Sequence, residues 1–116
     1  MTDLHQRVTA LNRLVATFAY EEAHNRFYAD SLVKHENENA PTIGLQRHRE
    51  EMTVFLSKIS DAHAEPLQTI VHGTVTATSW HYRFTHADWG VRDFHQLSVQ
   101  RWEAGRAVHE RHYYSM

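Results

Sequence analysis

The chain of 116 residues sets 12 Lys and Arg against 14 Asp and Glu, a formal net charge of −2, with 41% hydrophobic residues and no cysteine. That length supports one domain with its own core, residues 1–116, and is too short for two. The composition excludes a disordered chain, and with no basic surplus a nucleic-acid partner is not expected. Without cysteine there is neither disulfide nor thiolate chemistry, which is compatible with a reducing cytoplasm. The opening MTDLHQRVTALNRL has an acid at position 3 and no apolar run, so it does not read as a signal peptide. No stretch approaches the roughly 20 apolar residues of a membrane span, and no membrane partner is expected.

Leu4, Val8, Leu11, Val15 and Phe18 recur at spacings of four and three, the stripe of an amphipathic helix, with Thr2 or Asp3 to cap its start. A second helical stretch runs from Glu21 to Tyr28, with Ala23 and Phe27 on one face, and Asp30-Ser31 ends it. Leu32 to Glu36 is a short extended piece. The polar turn NENAPTIG follows, with Pro41 and Gly44 as breakers. Thr42 is placed to cap a third helix whose inward stripe is Leu45, His48, Met52, Phe55, Leu56 and Ile59. Arg47, Arg49, Glu50 and Glu51 form its charged, solvated side. Asp61 to Pro66 reads as a loop.

After Pro66 the residues are those of strands, broken by Gly73, by Ala87-Asp88-Trp89-Gly90 and by Glu103-Ala104-Gly105. These breaks predict antiparallel hairpins. The order α-α-β-α-β-β-β-β is an α+β layout with helices segregated to one side of a sheet. Successive strand side chains point to opposite faces, so Trp80, Tyr82 and Phe84 share one face. In the next strand Asp93, His95, Leu97 and Val99 oppose Phe94, Gln96, Ser98 and Gln100. The second set is the more polar, which predicts that His95 points inward with Leu97 and Val99. The final strand divides Val108, Glu110, His112 and Tyr114 from Ala107, His109, Arg111 and Tyr113, and its parity stays open. A sheet carrying apolar and aromatic residues on both faces calls for helices on one face and a second copy of the chain on the other, a homodimer.

The segment FYADSLVKHENENAPTIG, the helix ending in FL, and VQRWEAGRAVHERHYY together resemble the nuclear transport factor 2-like superfamily. The closer likeness is to its SnoaL-like and ketosteroid-isomerase-like branch of small bacterial proteins, which includes polyketide cyclases. The resemblance implies a cone-shaped barrel: a curved, mostly antiparallel sheet with the three helices packed on its concave side, a cystatin-like arrangement. It also implies a cavity that takes a small apolar molecule. In the isomerase-like members a carboxylate base follows the second helix, and Glu36 is the matching position here, with His35 beside it. Those proteins place an acidic hydrogen-bond donor on a late strand, where this chain has His95. Their tyrosine on the first helix has no counterpart among Asn12, Leu14 and Val15.

The sequence thus nominates Glu36 as base and His95 as the donor that holds a developing oxyanion. Trp80, Tyr82, Phe84 and Leu97 are the expected cavity wall, with His35, His112 and Tyr114 as further substrate contacts. The implied chemistry is proton transfer on a carbonyl-bearing substrate, as in an isomerase, cyclase or lyase. The same cavity also suits a non-catalytic ligand-binding or accessory dimer, and the fold suits a protein–protein adaptor. No cofactor and no metal are expected. His109 and His112 are three apart on a strand and so face opposite ways, and no H-E-x-x-H is present. A facial set of His35, Glu36 and His95 is the one metal arrangement the sequence leaves open.

Overall fold

A computed structural model describes residues 3–116. Helix α1 spans Leu4–Ala16, α2 Tyr20–Phe27 and α3 Leu45–Lys58. Six strands complete the fold: β1 Tyr28–Glu36, β2 Thr42–Ile43, β3 Ile59–His72, β4 Val75–His86, β5 Gly90–Glu103 and β6 Arg106–Tyr114. They form one open, mixed sheet in the order β2-β1-β6-β5-β4-β3. Every neighbouring pair is antiparallel except β1 and β6, which run parallel. The three helices pack against the concave side, giving the α+β layout that the order of elements predicts and the cone shape that the family resemblance implies.

Local chemistry sets the element boundaries. The Asp3 carboxylate accepts from the Gln6 backbone N–H at 2.9 Å and so caps α1; the alternative cap, Thr2, lies outside the described residues. Thr42 does not cap α3. Gly44 holds the N-cap with φ 92°, and the Thr42 hydroxyl instead donates to Glu51 Oε1 at 2.6 Å. Helix α2 ends at Phe27, and the chain turns directly into β1 at Tyr28, so β1 is nine residues long rather than the short piece expected.

The expected loop at Asp61–Pro66 is strand, the first half of β3. Its polar residues mislead because β3 is an edge strand with most side chains in water. Pro66 is tolerated there, since an edge strand has N–H groups that need no ladder partner. Between β5 and β6, Ala104 (φ 50°) and Gly105 (φ 76°) both take positive φ, as a two-residue hairpin turn requires. Arg7 Nε donates to the Gly105 carbonyl at 2.8 Å, tying α1 to this turn.

Val8, Leu11 and Val15 of α1 meet Ala23, Phe27, Tyr28 and Leu32 in the core, with Trp80, Phe84, Trp102 and Ala107 opposite them on the sheet. Asn12 is buried in the same seam. Its side-chain amide donates to Thr78 Oγ1 at 3.1 Å and Thr69 Oγ1 at 3.3 Å, bonding the helix to β3 and β4.

Candidate functional site

The concave side of the sheet encloses a cavity of about 280 Å³. Its apolar wall comes from Trp80, Tyr82 and Phe84 of β4, Phe94 of β5, Phe55 of α3 and Phe18 of the α1–α2 connection. Strand alternation alone aims the β4 trio inward, as expected from sequence. Trp89, half-exposed on the β4–β5 turn, also borders the cavity and stacks on His86 at 3.7 Å between ring centres.

The opposite wall is polar, and it is built by the parallel pair of strands. The β1–β6 register sets Lys34 against Glu110 and Glu36 against His112, all four lining the cavity. Lys34 Nζ lies 3.0 Å from Glu36 Oε1 and 3.7 Å from Glu51 Oε1 of α3, so a buried ammonium stands between two carboxylates. Glu110 is fully buried, and three side chains hydrogen-bond its carboxylate. Tyr28 Oη donates to its Oε2 at 2.5 Å, Gln100 Nε2 donates to the same oxygen at 3.0 Å, and His112 Nε2 meets Oε1 at 3.0 Å.

The network extends in both directions. Trp102 Nε1 donates to Thr76 Oγ1 at 2.9 Å, and Thr76 donates to Gln100 Oε1 at 2.8 Å, so this line of donors ends on the Glu110 carboxylate. On the other side His112 Nδ1 lies 2.8 Å from Ser98 Oγ, which also accepts from Gln96 Nε2 at 3.1 Å. In a medium of low dielectric such a chain of dipoles polarises each bond in turn.

Burial by itself would raise the Glu110 carboxyl. The opposing His112 charge and the hydrogen bonds from His112 and Tyr28 outweigh it and hold Glu110 well below the usual carboxylate range. Burial likewise works against a charged His112, but the Glu110 charge and hydrogen bond outweigh it and raise the imidazole above its ordinary value. The pair is therefore carboxylate and imidazolium. With both ring N–H groups present, His112 donates to Glu110 and to Ser98, and the Ser98 hydroxyl hydrogen is left to point at a ligand. The Tyr114 phenol, beside Glu36, is raised by burial and by that carboxylate, so it too remains a donor.

His48 of α3 completes the lining and behaves differently. Its ring centre lies 4.8 Å from that of His24 in α2. His48 Nδ1 and His24 Nε2 are buried without a hydrogen-bond partner. Burial pushes His48 down to about 3 and His24 to about 4, so both rings are neutral.

Several sequence expectations change here. His95 does not enter the cavity. It is exposed on the convex face, stacked on His81 at 5.1 Å between ring centres. Leu97, 41% exposed, shares that outer face, and so does His35, whose ring lies 5.2 Å from that of His109. The reason is common to β5: its more polar face, Phe94, Gln96, Ser98 and Gln100, is the inner one, because Glu110 and His112 across the strand satisfy it. The facial set of His35, Glu36 and His95 is likewise broken up, since Glu36 faces the cavity and both histidines face away. Glu36, Trp80, Tyr82, Phe84, His112 and Tyr114 do line the cavity. Missed were Glu110, Ser98, Gln100, Lys34 and Tyr28. The signal for Glu110 was its place two residues before His112, on the same face of the final strand.

The architecture is the nuclear transport factor 2-like fold, shared with solved structures described as SnoaL-like and ketosteroid isomerase-like. Among solved structures, one similar chain is a protein from Mesorhizobium loti described as SnoaL-like polyketide cyclase, with TM-score 0.85, 15% identity, and 97% of this chain and 100% of that chain covered. An epoxide hydrolase from M. tuberculosis superposes with TM-score 0.77 at 14% identity, covering 95% of this chain and 80% of its own. A ketosteroid isomerase-like fold from Catenulispora acidiphila, solved in complex with trimethylamine, gives TM-score 0.78 at 13% identity over 95% of this chain and 85% of that one. No protein-family model and no curated protein matches the sequence. No helix among the described residues is long and apolar enough to cross a membrane.

Proposed function

We propose that this protein binds a small, mainly apolar molecule bearing a carbonyl-type oxygen and transfers a proton on it. The carrying observation is the β1–β6 register, which sets the Glu36 carboxylate beside His112 on one wall of an otherwise aromatic cavity. Glu36 takes a proton from the carbon next to the carbonyl, and the electron pair moves onto the carbonyl oxygen. The Ser98 hydroxyl, polarised by the His112 imidazolium and the buried Glu110, supplies the hydrogen bond that stabilises that oxygen. Return of the proton to a different carbon gives an isomerase. Attack of the enolate on a second carbonyl gives a cyclase, and loss of a leaving group gives a lyase. Fold neighbours described as cyclase and epoxide hydrolase, and one holding trimethylamine, support a small-molecule site of this kind.

Proton abstraction can be read without knowing the natural substrate. Cyclic ketones and 1,3-dicarbonyls that quench the cavity tryptophans are incubated with the protein in D2O, and deuterium uptake at the α-carbon is followed by NMR. Glu36→Gln is expected to slow uptake at least roughly a hundredfold with little change in binding. Uptake equal in wild type and variant removes Glu36 from the mechanism.

A second reading has its own observation. Both ring nitrogens of His112 and both oxygens of Glu110 are already engaged within the protein. A polar wall so satisfied also suits a non-catalytic binding protein, and ligands that bind without any deuterium uptake would decide for it. A filled cone would have favoured an adaptor; the open cavity gives that reading no support.

A further inference from the structure

The convex face carries a second cluster, unrelated to the cavity. His63 and Glu65 of β3 and His81 of β4 hold their donor atoms within 4.8 Å of one another. Glu65 and His81 are register partners, and His63 stands two residues from Glu65, hence on the same face. The β3–β4 ladder is irregular on both sides of this stretch, between Ser60 and His63 and between Pro66 and Gln68. Such irregularities re-aim side chains, and they are common beside functional sites. His63 and Glu65 face outward together while Ala64, between them, is buried.

We infer that His63, Glu65 and His81 form a site for a divalent transition-metal ion of the zinc type. Two imidazoles and one carboxylate are a recurrent ligand set for such ions. Around zinc, ligand atoms lie about 3.3 Å apart, given metal–ligand bonds of about 2.0–2.1 Å. His63 Nε2 is already 3.6 Å from Glu65 Oε2, and both side chains are more than half exposed, so the remaining closure is a matter of free rotation. Asp93 of β5 adds a support that ligating histidines commonly have: its Oδ1 lies 2.7 Å from His81 Nε2 and fixes that ring. His95 stacks on the far side of the same ring and limits its movement. A bound ion joins the edge strand β3 to β4, its single neighbour, across the irregular stretch and so braces that edge of the sheet.

The test is calorimetric titration of the untagged full chain with Zn2+, together with thermal melts. One ion per chain is expected, with a rise in melting temperature of about 10 °C when free Zn2+ is a hundred times Kd. The double variant His63→Ala/His81→Ala, both at surface positions, should fold normally and lose at least tenfold in affinity along with the thermal shift. Asp93→Asn should weaken binding by roughly 10–100-fold. His109→Ala, which changes the separate His35–His109 pair, should leave the titration unchanged. Absence of saturable uptake in the wild type overturns the site, and so does uptake that the double variant retains.

Discussion

The two faces of strand β5 make an instructive contrast. Inward it presents Phe94, Gln96, Ser98 and Gln100; outward it presents Asp93, His95, Leu97 and Val99. By hydropathy the outward set is the better candidate for burial. The inner set is nevertheless the one buried, because Gln96, Ser98 and Gln100 find partners on β4 and β6, and a buried polar group costs free energy only when left unpaired. Leu97 on the water side costs little, since folded proteins expose much apolar surface in any case.

Breaking the inner network should have the largest effect. Glu110→Ala leaves the Tyr28 hydroxyl, the Gln100 amide and the His112 ring without their shared acceptor, and is expected to cost about 3–5 kcal/mol in denaturant unfolding. A loss below about 1 kcal/mol would mean that the network is not held as described. Trp80→Ala, on the apolar wall, should cost a similar 3–5 kcal/mol, largely from the cavity it opens.

Acid probes the buried inner groups in a second way. His24 and His48 are pushed down to about 4 and about 3 in the folded state, so between roughly pH 6.5 and pH 4 the unfolded chain binds more protons. Stability should therefore fall as pH falls through that window, by roughly 1 kcal/mol per pH unit for each ring. Glu110, whose carboxyl is held low, adds stability that is present above the ordinary carboxylate pKa and is lost toward more acid pH. His112 acts in the opposite sense: its raised value stabilises below about pH 6.5, and that contribution fades as pH rises through its folded-state pKa. Urea midpoints measured from pH 8 to pH 4 test the balance. A double variant His24→Leu/His48→Leu should flatten the upper part of the curve.

The outer face should be nearly silent. Leu97→Ala and His95→Ala are each expected to shift stability by less than about 0.5 kcal/mol and to leave ligand binding in the cavity unchanged. A loss of α-proton exchange in His95→Ala would restore the residue to the mechanism and overturn the assignment of faces.

The same contrast explains what could be read from sequence. The helix stripes at Leu4–Phe18 and Leu45–Ile59 and the breaks at Gly73, Gly90 and Gly105 are strong local signals, so the order of elements was legible apart from β2, two residues hidden in the polar turn before α3. The β4 trio was legible too, because three aromatic residues at alternate positions have one sensible direction. Strand β5 was not, since its inward polar residues are satisfied by groups on β4 and β6 that sequence cannot place opposite them. The first half of β3 was hidden for a related reason: an exposed edge strand has no apolar alternation to show. Glu110 was lost in a final strand whose two faces look alike on paper, and only the parallel pairing with β1 separates them.

That parallel pairing also governs how the protein must fold. It joins β1 to β6 across nearly the whole intervening chain; Tyr28 and Glu110, which bond directly, are 82 residues apart. Closing so large a loop is entropically unfavourable until the hairpins β3–β4–β5–β6 are already in place. Lys34 and Glu36 therefore meet Glu110 and His112 only in the last step of assembly. A partly folded chain would own the aromatic wall but no polar one, and refolding experiments that follow ligand binding and β-sheet content separately should see the sheet recover first.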